Sequence, residues 1–387
     1  MTSAAPPDLA RLIRPGDGVI VGQACSEPQA LTEALVAQRA AFSGAQVFLG
    51  VNYAGIVRPE HADHLRLSAY CGAGRNRALA DAGVLDIHPH PYSRFGSLIR
   101  NKTIPSDVVL IQVSPPNARG EYSMGLGVDY LLPAVECARA VIAEVNERVP
   151  WTYTERLFRK EDFALLVPSS REPALPPPAR RGEAEAAIAR HAAAFVPDGA
   201  TLEFGLGVLP DAVCAALSAR RGLKVHSGTI GDGVIELMRA GAVTEVQCGQ
   251  LIGTRALFEL ARENPAIRMR STEFTHDPRV LGSIGRFVAI NSAIEVDLTG
   301  QVNAEVVGGS YLGAVGGALD FMRAAGHSPG GVSLLVLPAA RVVEKLSGPV
   351  STPRSEAGVI VSEKGAADLR GCTLRERARR MQAISSL

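Results

Sequence analysis

Three consecutive prolines, Pro176, Pro177 and Pro178, divide this 387-residue chain. They close the stretch 167–179 (VPSSREPALPPPA), which cannot continue a helix or a central strand and reads as a linker. On both sides of it, short apolar runs alternate with helix-like segments. Residues 18–22, 46–51, 108–113 and 140–145 are the strand-like runs before the break, with an amphipathic helix over 27–42 among them. Helix-forming residues resume at 181–195, strand-like runs return at 333–337 and 358–361, and a charged helix spans 374–383. Strands alternating with helices demand a largely parallel sheet covered on both faces. Short apolar runs without alternation fit strands buried from both sides.

The length agrees, because single cores stop growing near ~250–300 residues. The expectation is therefore two similar α/β domains, 1–170 and 183–387, joined by a linker over 171–182, with a ligand cleft between them. Lys and Arg number 40 against 39 Asp and Glu, so no global field draws the chain to nucleic acid or to an anionic membrane. The basic cluster over 375–380 (RERARR) reads as a solvated helix face. Cys25, Cys71, Cys137, Cys214, Cys248 and Cys372 are scattered without a C-x-x-C pair, which fits free thiols in a reducing compartment. No apolar run approaches ~18 residues and the N-terminus MTSAAPPDLA has no secretory pattern, so the expected location is the cytoplasm.

Two glycine corners carry the chemistry. Residues 291–321 read NSAIEVDLTGQVNAEVVGGSYLGAVGGALDF. The alternation Ile294-Glu295-Val296-Asp297-Leu298 has the period of a half-buried strand, and Thr299-Gly300 marks a turn. The run Gly313-Ala314-Val315-Gly316-Gly317 then opens onto helix-forming residues 318–323. Free N–H groups at such a helix start suit an anion or a thioester carbonyl; the bland alternative is a tight turn whose glycines serve φ alone. Residues 201–212 (TLEFGLGVLPDA) give a strand, a Gly205-Leu206-Gly207 turn, and Pro210-Asp211 opening a helix expected over 212–220. Neither corner completes G-x-G-x-x-G, which disfavours a nicotinamide-binding enzyme.

With GQACSEPQAL at 22–31, DVVLIQVSPP at 107–116, YSMGLGVDY at 122–130, VIAEVN at 141–146 and ADLRGCTLRER at 367–377, the order of segments resembles the acetyl-CoA hydrolase/transferase family over nearly the whole chain. The resemblance implies two tandem CoA-transferase-type open parallel-sheet α/β domains with helices on both faces. It implies coenzyme A or acyl-CoA as substrate, a carboxylic acid partner and no metal, and the expected assembly is a homodimer or larger homo-oligomer. By the same resemblance the CoA site takes in Gly205, Gly207, Val208, Leu209, Gly313, Gly316, Gly317 and Arg341, and the acyl pocket Gln23, Glu27, Asn52, Tyr53 and Ser123. Glu27 has a rival reading as a first-turn helix residue favoured by the macrodipole.

Transferases of this family attack the thioester with a glutamate. The segment that resembles theirs, VHSGTIGDG over 225–233, has Gly228 at that position. His226 and Ser227, being neighbours on a strand, point to opposite faces and form no nucleophile–base pair. Three consequences follow: another carboxylate such as Glu203 attacks; Glu203 or Asp232 positions a water and the chain is a hydrolase; or the chain binds acyl-CoA without turnover or beside a partner subunit. Gly228→Glu is expected to restore transfer. His88 and His90 in DIHPHPY lack further ligands, and Pro89 and Pro91 indicate a turn there, not a metal site.

Overall fold

The computed structural model describes residues 7–178 and 182–387. The expected linker's Ala179, Arg180 and Arg181, and the first six residues of the N-terminal segment, lie outside the described residues.

Two large sheets organise the chain, with helices on both faces. The first has seven parallel strands in the spatial order Leu85–Ile87, Arg66–Ala69, Gln46–Leu49, Gly18–Val21, Val108–Val113, Ala140–Asn146, Leu165–Ser169. Val108–Val113 is buried at every residue, as an apolar run without alternation favours, and its one polar side chain, Gln112, donates to the Cys25 carbonyl. The second has nine strands: Gly365–Asp368, Val359–Ser362, Val332–Val336, Phe287–Ser292, Thr201–Phe204, Leu223–Ile230, Val243–Leu251, Ile267–Met269 and Tyr153–Thr154. Only Gly365–Asp368 runs antiparallel to its neighbour. Tyr153–Thr154 precedes the proline break yet pairs with Ile267–Met269, so the first half lends a strand to the second sheet.

Several elements differ from their sequence reading. The stretch 167–179 begins on an ordered strand: Pro168 sits in Leu165–Ser169 and pairs with Val145 at the sheet's edge, where a missing N–H is tolerated. The helix expected from residue 212 runs Val208–Ala216, starting directly after Gly207, because Pro210 is accommodated inside its first turn. The helix expected over 27–42 is Gln29–Gln38 followed by a 3-10 turn, Arg39–Phe42, since Pro28 holds the cap position. The alternating segment at 294–298 contains the short strand Glu295–Asp297, buried on both faces, not one. Its two carboxylates tolerate burial because the chain folds back to meet them. Glu295 accepts from Asn303, Ser347 and Gly348, and Asp297 from Thr299 and Gln301. These bonds hold both acids below their ordinary values against the desolvation that raises them.

Strand order places the ligand site. Thr201–Phe204 lies between Phe287–Ser292 and Leu223–Ile230, the point where the second sheet's connections reverse. Gly18–Val21 occupies the same position in the first sheet, between Gln46–Leu49 and Val108–Val113. Ligands in open α/β sheets bind beyond the carboxyl ends of strands at such points.

Candidate active site

A cavity of about 380 Å³ opens beyond the carboxyl ends of Thr201–Phe204, Leu223–Ile230 and Phe287–Ser292. Glu203, Gly205, Gly228 and Asn291 line it from those strand ends, the run 313–317 covers another side, and Tyr70, Cys71 and Tyr92 reach in from the first half. Leu206, on the wall, is exposed, so the Gly205-Leu206-Gly207 corner forms the rim.

The glycine run is stitched to the first half. Gly72 donates its N–H to the Gly313 carbonyl at 3.0 Å, and Tyr92 donates to that of Gly316 at 2.9 Å. Asp320, in the first turn of the helix Ala318–His327, accepts from the Ser93 hydroxyl at 2.7 Å and from its N–H at 3.1 Å. Gly316 has φ +59° and Gly317 φ −91°, a left-handed then right-handed pair that turns successive N–H groups to one side as an anion-holding nest. Among the described residues neither N–H has a partner. The other corner differs from expectation, because Gly205 already gives its N–H to Ile290 at 2.8 Å.

Glu203 is fully buried, and Asn291 donates to its Oε2 at 2.7 Å. Desolvation outweighs that bond and pushes the carboxyl up to about 8, so it carries a proton at neutral pH. Burial likewise pushes the Cys71 thiol up to about 11, which leaves it inert as a nucleophile.

Gly228 is where the chemistry departs most from the resemblance, and a histidine explains what fills the space. A Cβ at position 228 would lie 2.9 Å from His276 Cε1 and 3.1 Å from its Nε2; one at position 317 would lie 2.6 Å from the same Nε2. The imidazole is thus wedged between the two glycines. A side chain at 228, as in Gly228→Glu, therefore requires His276 to shift. His276 packs against Phe321 and Tyr92 at ring-centroid distances of 4.5 and 5.0 Å. Its position is held from both sides. Asp277 caps the helix Pro278–Gly282 by accepting from Arg279 and Val280, and Glu273 in the preceding turn takes a two-pronged contact from Arg100.

Behind the cavity lies a buried polar network. Gln23 donates to the Tyr92 hydroxyl and to Asp129, both at 2.7 Å, and accepts from Tyr70 and from the Val51 N–H, both at 2.9 Å. Gln250 also donates to Asp129. Burial raises the Asp129 carboxyl to about 6 despite four hydrogen bonds that lower it.

Of the residues expected from sequence, the cavity wall brings together Glu203, Gly205, Gly228, Gly313, Gly316 and Gly317. Gly207, Val208 and Leu209 follow the rim into the helix, and Arg341 is exposed on the turn Ala339–Arg341 away from the wall. Asp232 faces elsewhere and accepts from the Thr254 N–H and hydroxyl. Gln23 supports the wall through Tyr70 and Tyr92. Asn52 accepts from Gly55, Tyr53 packs against the core, and Ser123 bonds Thr152. Glu27 is a buried carboxyl raised to about 8 by desolvation, bonded by the Ala54 N–H.

Comparison with known proteins agrees with this fold. Residues 3–155 match the acetyl-CoA hydrolase/transferase N-terminal domain and residues 253–386 the C-terminal domain. The chain is 34% identical to the 4-hydroxybutyrate coenzyme A transferase of Clostridium kluyveri, over 95% of this chain and 90% of that protein. It belongs to the acetyl-CoA hydrolase/transferase family. The crystal structure of RipA from Yersinia pestis superposes on this family member with a TM-score of 0.93 at 28% identity, covering 97% of this chain and 92% of that one. An acetyl-CoA hydrolase of Kluyveromyces lactis shares 27% identity over 57% of this chain and 46% of its own length.

Sequence reasoning missed His276, Tyr92, Gln250 and Asp129. Tyr92 stood in the DIHPHPY segment weighed as a metal site, and His276 precedes the helix-starting Asp277-Pro278, where nothing local marks it.

Proposed function

We propose that this enzyme binds the thioester end of a short acyl-CoA in the cavity and hydrolyses it to a carboxylic acid and CoA. One observation carries the choice of hydrolysis over transfer: position 228 is glycine, and the one carboxyl lining the cavity among the described residues, Glu203, is raised by burial to about 8 and so keeps its proton at neutral pH. The Gly316 and Gly317 N–H groups supply the donors for the oxyanion that develops on the thioester oxygen, where each preorganised donor is worth about 3 kcal/mol. Neutral Glu203 adds a further acid to the wall. CoA transfer through Glu203 is the second reading. It is favoured by the same carboxyl lining the cavity and ionising above about pH 8.

The test offers purified protein acetyl-, propanoyl-, butanoyl- and succinyl-CoA, with and without acetate as acceptor. Free CoA released without acceptor supports hydrolysis. Release that requires acceptor, with a CoA thioester on the enzyme by intact-mass measurement, replaces it with transfer. Binding by calorimetry with neither product removes the enzymatic reading. The free thiols of all six cysteines suit a reducing, cytoplasmic setting, and we extend the proposal to a homodimer there. No helix among the described residues is long and apolar enough to cross a membrane.

A further inference from the structure

We propose that His276 is the general base of this site, its Nε2 standing in the space that a side chain at position 228 would occupy and taking the proton of the attacking water. This rests on the hydrolytic reading above.

The tautomer follows from the hydrogen bonds. The Thr275 hydroxyl donates its single proton to the Ser271 carbonyl at 3.1 Å. With that proton on the carbonyl, the oxygen 2.8 Å from His276 Nδ1 is left to accept there, and on this ground we assign the ring's proton to Nδ1. Nε2 is left with its lone pair. Among the described residues nothing hydrogen-bonds Nε2, and the ring lines the cavity between Gly228 and Gly317. A free acceptor on a buried wall is the place a water molecule takes, and it adjoins the Gly316 and Gly317 N–H groups proposed for the thioester oxygen. The glycines at 228 and 317 are what admit the ring, since a Cβ at either position collides with it.

Burial keeps the imidazole neutral, holding it well below its usual value, to about 3. The lone pair is therefore available throughout the physiological range. Its weak basicity in the empty site is offset when the proton arrives, because the imidazolium forms beside a new negative charge on the thioester oxygen. The rivals on the wall are worse placed: the Cys71 thiol and Glu203 carboxyl both keep their protons, and the Tyr92 hydroxyl bonds Gln23 and Asp129.

In the step itself, a water O–H proton passes to Nε2 as the oxygen bonds the thioester carbonyl carbon. The tetrahedral intermediate collapses, the C–S bond breaks with its electron pair on sulfur, and the imidazolium returns the proton to the leaving CoA thiolate. The products are the carboxylic acid and CoA, and the histidine is regenerated neutral.

The test compares wild-type protein with His276→Gln and His276→Ala, measuring CoA release from the best substrate of the panel and binding of its thioether analogue by calorimetry. His276→Gln fills similar space but accepts no proton. Its kcat is expected to fall about 100-fold or more while KM and analogue affinity stay within about threefold. In His276→Ala, added free imidazole is expected to recover at least about tenfold of the lost rate, which a merely structural histidine would not allow. Retention of wild-type kcat within about threefold in His276→Gln overturns the base and leaves hydrolysis standing, as does lack of rescue in a folded His276→Ala that binds the analogue. Should His276→Ala fail to fold, the kcat of His276→Gln decides alone. A wild-type protein that releases no CoA from any substrate defeats the proposed function first, and the base with it.

Discussion

Adding one methyl group at position 228 tests the wedge directly. The Cβ of Gly228→Ala would sit 2.9 Å from His276 Cε1, well inside the ~3.5 Å at which carbon atoms pack. The ring has little room to yield, with Nδ1 tied to Thr275 at 2.8 Å and its faces against Tyr92 and Phe321. Overpacking of this kind costs about 1–3 kcal/mol. His276→Ala alone leaves a void and loses about 2–4 kcal/mol. In the double variant the new methyl enters the vacated space, so its own cost disappears. The cycle should show a favourable coupling of about 1–3 kcal/mol, read from urea unfolding of the four proteins by circular dichroism. Costs that add to within about 0.5 kcal/mol would refute the contact between Gly228 and His276 and the argument built on it.

The same wedge predicts that Gly228→Glu is destabilised and forms no CoA adduct. Gly228→Glu with His276→Ala should accumulate an enzyme–CoA thioester detectable by intact mass. Glu203 gives a pH signature. The folded state holds its proton up to about pH 8, whereas the unfolded chain releases it near 4.5, so the folded state binds more protons across that window and stability falls as pH rises through it. At about 1.4 kcal/mol per pH unit the contribution amounts to about 5 kcal/mol at most. Glu203→Gln should flatten the decline in urea midpoint between pH 5 and 8, and an unchanged slope would contradict the burial argument. Removing the Asp320 carboxylate by Asp320→Ala leaves the Ser93 N–H and hydroxyl without their acceptor and loosens the helix after the glycine run from the first half, which then holds the run only through the Gly72 and Tyr92 N–H groups. The expected result is a KM for acyl-CoA raised about fivefold, near 1 kcal/mol, with kcat little changed.

Much of the architecture was legible in the sequence because its signal is local. Apolar runs without alternation such as 108–113, bounded by turn signals, fit strands buried on both faces, and glycine corners at 205–207 and 313–317 mark strand-to-helix turns. Gly228 was legible too, as a residue without a side chain where the resemblance calls for an acid. What failed was everything set by distant neighbours. Tyr153–Thr154 is too short for any periodicity, and only its pairing with Ile267–Met269 makes it a strand. The start of the stretch 167–179 is strand and not linker, since Pro168 is tolerated only because its strand lies at a sheet edge. His276 meets Gly228 only through the tertiary fold, so no spacing rule joins them. Glu295 and Asp297 looked solvated by alternation, and the loops that bury and satisfy them come from 299–303 and 347–348.

The account turns on where the thioester lies. A crystal structure with a thioether analogue of a short acyl-CoA should place the acyl carbonyl within hydrogen-bond reach of the Gly316 and Gly317 N–H groups, with the adjacent carbon facing His276 Nε2. An analogue bound elsewhere, with this cavity empty at saturating concentration, would contradict it.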